Sequence, residues 1–75
     1  MPTTTIFVHL LDELLDCWRP VEAVNESADR YRIVGMNPEP TDERWEFGTG
    51  ELVICEPRRL SGADALVAVR RAGEV

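Results

Sequence analysis

The chain has no lysine and no glutamine, and only one histidine, one tyrosine and two cysteines among its 75 residues. A secreted domain of this size more often carries four or six cysteines as staples, so a disulfide framework is not expected. No cysteine or histidine stands at a paired spacing such as C-x-x-C or H-x-x-x-H, and a zinc site needs three or four protein ligands. A metal site would have to draw on His9, Cys17 and Cys55 with Asp16 or Glu56, and none is expected. A lone histidine would also have to serve Cys17, Cys55 or a serine, with no strained nucleophile turn in the sequence. No apolar run approaches bilayer length, which argues against a membrane partner. The start, MPTTTIFVHLLDELLD, has no basic segment before its apolar residues, so a cytoplasmic location with reduced thiols is expected.

Charge sets a further limit. Fourteen acids against eight bases give a net charge of −6, and every base is arginine. Codon usage is the ordinary source of such a skew, although arginine also pairs carboxylates in a bidentate fork that lysine lacks. An acidic surface repels phosphates, which argues against nucleic acid as a partner unless arginines gather locally. The pairs Arg30/Arg32, Arg58/Arg59 and Arg70/Arg71 are the candidates, and Arg58 with Arg70 would make a patch if they met across the last hairpin. Salt pairing with Glu51, Glu56 and Glu74 is the ordinary alternative.

What is present is β pattern. In Thr3 to Leu11, Ile6, Val8 and Leu10 alternate with Phe7, His9 and Leu11, so both faces carry apolar side chains. That predicts a strand covered on both sides or packed at a dimer contact. DELLDC is either a short helical turn or a connection carrying Leu14 and Leu15 over the core. Cys17 to Val24 is a second strand, with Pro20 marking an edge or a bulge. Arg30 to Met36 is a third. A loop over Asn25 to Asp29 would set Val21 against Ile33, Ala23 against Tyr31 and Glu22 against Arg32, placing Val21, Ala23, Tyr31 and Ile33 on one core face.

Asn37 to Arg44 is a polar loop whose acids lack the order of an EF-hand, so no cation site is expected there. Trp45 to Phe47 returns to β character. Glu51 to Glu56 is a strand apolar on both faces, interrupted by Pro57 and resumed at Arg58 to Leu60. Ser61 to Asp64 is a turn, Ala65 to Val69 the last strand, and the RRAGEV tail is expected to fray. One domain over residues 1–75 is expected, near the lower size at which a chain folds unaided and burying roughly 60% of its unfolded surface. The fold class is all-β, a small SH3-like barrel or rolled antiparallel sheet of five to six short strands, since closure removes exposed edges.

Two resemblances follow from these residues. CWRPVEAV followed by RYRIVG resembles the W-R/Y-x-A-x-V…Y-x-V hairpin of Tudor-like and other SH3-like small barrels, and G-x-G-E-L-V-I over residues 48–54 resembles their glycine-led strand. The chain is also similar to small bacterial proteins marked by D-x-W-R-P-V-x-A, Y-R-I and E-x-W-x-F, here residues 16–23, 31–33 and 43–47. That group implies no activity and no sites. The Tudor resemblance implies recognition of methylated arginine or lysine by an aromatic cage. The D-Y-G-N segment of those barrels is replaced by Met36-Asn37-Pro38-Glu39-Pro40, so the cage is not carried over.

Trp18, Tyr31, Trp45 and Phe47 are core in the ordinary case and a binding platform in the alternative. The expectation is a module with no catalytic role and no cofactor that binds a protein partner or a second copy of itself. The alternative is a nucleic-acid-binding barrel using the arginine pairs and aromatics. The contact residues are expected to be Trp18, Pro20 and Val34 on the outer face of the hairpin, with Trp45 and Phe47 from the following loop.

Overall fold

The computed structural model describes residues 2–13, 15, 17–38 and 41–72. The readings that involve Leu14, Asp16, Glu39, Glu74 and the last three residues fall outside the described residues. Arg70 and Arg71, expected to fray with the tail, are instead strand residues, and the Ala72 amide donates to the Leu52 carbonyl at 2.8 Å. Six strands form in the order β1 (Thr4–Leu11), β2 (Cys17–Ser27), β3 (Arg30–Ile33), β4 (Arg44–Trp45), β5 (Leu52–Leu60) and β6 (Ala63–Arg71). They make one sheet, so the protein is a small all-β fold. The helical turn considered for DELLDC does not form among the described residues. Asp12 instead takes a left-handed conformation, φ 63°, which a short acidic side chain tolerates.

Pairing runs β1–β2, β2–β3, β3–β5 and β5–β6, all antiparallel, and then returns from β6 to β1. The ring therefore holds five strands. A closed meander with an odd strand number must bring its first and last strands together pointing the same way. The β6–β1 contact is accordingly parallel, made at Phe7↔Val67, and the sheet is mixed where a purely antiparallel one was expected. Beyond Phe7 the same edge of β1 is taken by β4, through Leu10↔Trp45 and Leu11↔Arg44.

The core lies inside this ring. Ile6 and Val8 of β1, Val21 and Ala23 of β2, Ile33, Val53, Cys55 and Ala68 are buried there with Phe47. Alternation explains the selection, because every second residue of each strand points inward.

The β2–β3 register differs from the expected one. Ala23 faces Ile33, Val24 faces Arg32 and Asn25 faces Tyr31, and Ser27↔Arg30 closes the ladder after a bulge. Asn25 is the physical reason. Its side-chain amide donates to the carbonyls of Ala28 and Arg30, both at 3.1 Å, and so draws the chain into a tighter turn at Ala28-Asp29. Because the shift is two residues, Val21, Ala23 and Ile33 keep their inward face while their partners change. Arg32 consequently pairs with Glu26, at 2.9 and 3.3 Å, instead of Glu22.

Both strand prolines sit where a missing donor costs nothing. The Glu22 carbonyl accepts from Val34 and Gly35, so the main chain of Pro20, two residues earlier, points to that same side, ahead of the point where β3 begins its pairing. The Cys55 amide donates to the Asp29 carbonyl at 2.8 Å, so Pro57 would point its absent N–H past the end of β3. Strand β5 thus runs unbroken through Pro57, paired with Leu66. Its bulge lies between Ile54 and Cys55, and not at the proline. Ser61 (φ 51°) and Gly62 (φ 82°) form the two-residue turn into β6, the pair of positive φ values that matches strand twist.

Candidate functional site

The outer face of β1–β2 carries apolar side chains that the core does not use. His9 stands opposite Trp18 and Phe7 opposite Pro20 in the register. The His9 and Trp18 rings pack at 4.9 Å between centroids, tilted by 53°. Phe7, His9 and Trp18 are half-buried and Pro20 is exposed. The two apolar faces of β1 are therefore one core face and one partly covered outer face.

Trp18 lies where two open clefts meet. One, of about 540 Å³, is lined by His9, Trp18, Glu46, Arg58, Leu60 and Val67 among others. The second, of about 410 Å³, places Phe7, Cys17 and Trp18 against Leu60, Ala63 and Ala65, so the tip of the β5–β6 hairpin stands beside the β1–β2 face. Phe7 and Leu60 join this surface as residues that the sequence reading missed. Phe7 carried a signal in the two-sided apolar pattern of β1. Leu60 carried none, since its closeness to Trp18 depends on how the long hairpin is laid down.

The five residues expected to share a contact surface do not all do so. Trp18 and Pro20 stand at alternate positions on the outer face of β2. Val34, 42% exposed, extends that line, its amide bonded to the Glu22 carbonyl at 3.0 Å. Trp45 packs against the core cluster from β4, and Phe47 is 3% exposed within it. Phe47 is therefore not a surface residue. Its ring is covered by the Arg71 guanidinium, 5.2 Å from the centroid. Tyr31 likewise packs on the core. The four aromatics do not converge into a cage.

Glu43 organises the place where β2 and β4 flank β1, a role not visible in the acidic run that contains it. Its carboxylate accepts both nitrogens of an Arg19 fork from β2, and Oε1 also accepts the Trp45 indole N–H at 3.1 Å. Its main-chain carbonyl accepts from Asn37 Nδ2 at 2.8 Å. The Arg19 hydrogen bond first, then that of Trp45, holds the Glu43 carboxyl below the usual carboxylate range, and the same contact raises Arg19. A loop acid thereby ties β2, β4 and the 34–43 connection together.

Most of the other arginines are also engaged. Arg32 pairs with Glu26, Arg44 with Asp12, Arg58 with Glu56, Arg59 with Asp64 and Arg71 with Glu51, while Arg70 reaches Glu56 only at 3.9 Å. Glu51 and Glu56 serve as expected. Arg58 and Arg70 are not register partners, since Arg58 faces Ala65 and Arg70 faces Ile54. Both nevertheless reach Glu56, so they gather around a carboxylate and not as a free basic patch.

Cys17 and Cys55 are both free thiols. Burial first, then the Asp29 charge, pushes the Cys55 thiol up to about 11, which leaves it protonated and a poor nucleophile at neutral pH. Among the described residues no group of three or more His, Cys, Asp or Glu gathers as a metal site, and no helix is long and apolar enough to cross a membrane. The chain matches no family model, no curated protein and no solved structure.

Proposed function

We propose that this protein is a cytoplasmic, non-catalytic binding or assembly module that docks a protein partner, or a second copy of itself, on the outer face of β1–β2. The observation that carries this reading is Trp18. It is a large aromatic outside the core cluster, half-covered, at the junction of two clefts rimmed by Phe7, Leu60 and Val67. Aromatics in that position supply large contact area at low entropic cost and serve as interface anchors. Exposed Pro20 and Val34 continue the apolar line, and the free thiols fit a reducing compartment. Seven of the eight arginines have a carboxylate within ion-pair distance, which leaves little free positive charge for a nucleic-acid reading.

The test is sedimentation of the full chain across a concentration series, with affinity capture from the native cell, each repeated with Trp18→Ala. Self-association, or a captured partner lost on Trp18→Ala, supports docking at this face. A monomer at every concentration whose captured partners are the same with and without Trp18 refutes it.

A further inference from the structure

A third cleft, of about 450 Å³, borders the larger Trp18 cleft, with which it shares Glu46 and Val69, and is also lined by Arg30, Ile54, Arg70 and Arg71. Register explains its composition. Arg30 of β3 faces Ile54 of β5, and Ile54 faces Arg70 of β6, so the three form one row across adjacent strands. Side chains at facing positions share a side of the sheet, which puts two guanidiniums on either side of a central isoleucine. Their Cα atoms are separated by two strand spacings, roughly 10 Å. Ile54 is 6% exposed yet stands outside the main core cluster, and with half-buried Val69 it supplies the apolar part of the cleft.

The charges in this row are unusually available. Among the described residues Arg30 is the one arginine with no carboxylate at ion-pair distance. Arg70 is held loosely, because Glu56 is 3.9 Å from it and 2.8 Å from Arg58. Arg71 is fixed by Glu51 and the Phe47 ring and serves as a wall. On a chain of net charge −6, an arginine with no carboxylate partner in one row with a loosely held one is the exception.

We propose that this cleft binds a small organic phosphate monoester, its phosphate gripped by Arg30 and Arg70 and its organic group laid on Ile54 and Val69. A carboxylate has two oxygens and is satisfied by one guanidinium fork. The three terminal oxygens of a phosphate ester can accept from two forks at once. The apolar part selects an ester over inorganic phosphate, and the cleft volume suits a small molecule. Glu46 at the rim and the overall negative charge disfavour a polyanion, which carries many phosphates past the two arginines.

Calorimetric titration of the full chain with phenyl phosphate, inorganic phosphate and benzoate tests this. Saturable one-to-one binding of phenyl phosphate is expected, tighter than inorganic phosphate and benzoate. Arg30→Gln and Arg70→Gln should each weaken it by roughly tenfold, the value of one charge-assisted contact. Arg44→Gln, on β4 and not among the lining residues, should leave it unchanged. Glu46→Gln should strengthen it, a gain that loss of folding cannot imitate. No saturable binding, equal affinity for phenyl and inorganic phosphate, or binding indifferent to both arginine substitutions would overturn the proposal.

Discussion

The two faces of the β1–β2 hairpin both carry apolar side chains, aliphatic inside and mainly aromatic outside, and have opposite fates. Inward, Ile6, Val8, Val21 and Ala23 are fully or almost fully buried and meet side chains from β3, β5 and β6. Outward, Phe7, His9 and Trp18 are half-covered and Pro20 is exposed. The inner face holds the barrel closed. The outer face has apolar area beyond what folding uses, so it is where association can occur without unfolding the domain. Substitutions on the two faces should therefore separate stability from binding.

The inner face gives the largest effect. Ile6 has no exposed surface, and Ile6→Ala leaves a cavity that a five-strand ring cannot collapse around. A loss of about 3–4 kcal/mol is expected, a large share of the total of about 5–15 kcal/mol typical of such domains. Thermal unfolding should show it as a fall in Tm of about 15–20 °C. A fall under a few degrees would mean that the inner face does not hold the domain together.

Next comes the point where β3 leaves the hairpin. A Cβ on Gly35 would lie 3.0 Å from Val21 Cγ1 and 3.1 Å from the Glu22 amide nitrogen, and Glu22 backbone cannot yield. Gly35→Ala is expected to cost about 1–2 kcal/mol, measured by urea denaturation. The clash falls on the inner residue Val21, so binding at Trp18 should persist wherever the chain is folded.

How much of this was legible in sequence follows period and distance. Ile6, Val8 and Leu10 declare the inner face of β1 by alternation alone. Val21, Ala23 and Ile33 declare theirs even though the assumed register was two residues out, because a shift of two preserves the face. The turn at Ala28-Asp29 was hidden, since Asn25, Glu26 and Ser27 have loop composition while forming the solvent end of a strand, and only the Asn25 amide reveals it. The parallel closure is a matter of strand parity and is invisible in any local window. The burial of Phe47 is not legible, because a stretch of three residues such as Trp45 to Phe47 cannot be assigned a face from its pattern. The roles of Glu43 and of the Arg30–Ile54–Arg70 row depend on partners from other strands.

Glu43 supplies an intermediate effect that depends on pH. Arg19 and Trp45 depress its folded-state pKa, and Arg32 depresses that of Glu26. A folded value below the unfolded one means that the contact stabilises above the unfolded pKa, about 4.3, and stops doing so as pH falls through the folded value. Tm should therefore decline as pH drops below about 4–5. Glu43→Gln should lower Tm at neutral pH and flatten that acid limb, leaving the part due to Glu26. An unchanged acid limb would show that the clamp between β2 and β4 is not closed in solution.

The smallest effect on stability is expected from Trp18, the largest side chain of the hairpin. Its ring contact with His9 is worth about 0.5–1.5 kcal/mol, and because it lies outside the core cluster, its removal leaves no cavity in the ring. Trp18→Ala should then cost about 1 kcal/mol, well below Ile6→Ala despite deleting more atoms. The inversion is the informative part, since side-chain size alone orders the two the other way. If Trp18→Ala matches Ile6→Ala in denaturation, the outer face is a second core, and losing partner binding on that substitution would report unfolding. If the small cost holds while association disappears, the excess apolar area outside the barrel is a contact surface, and its centre is Trp18.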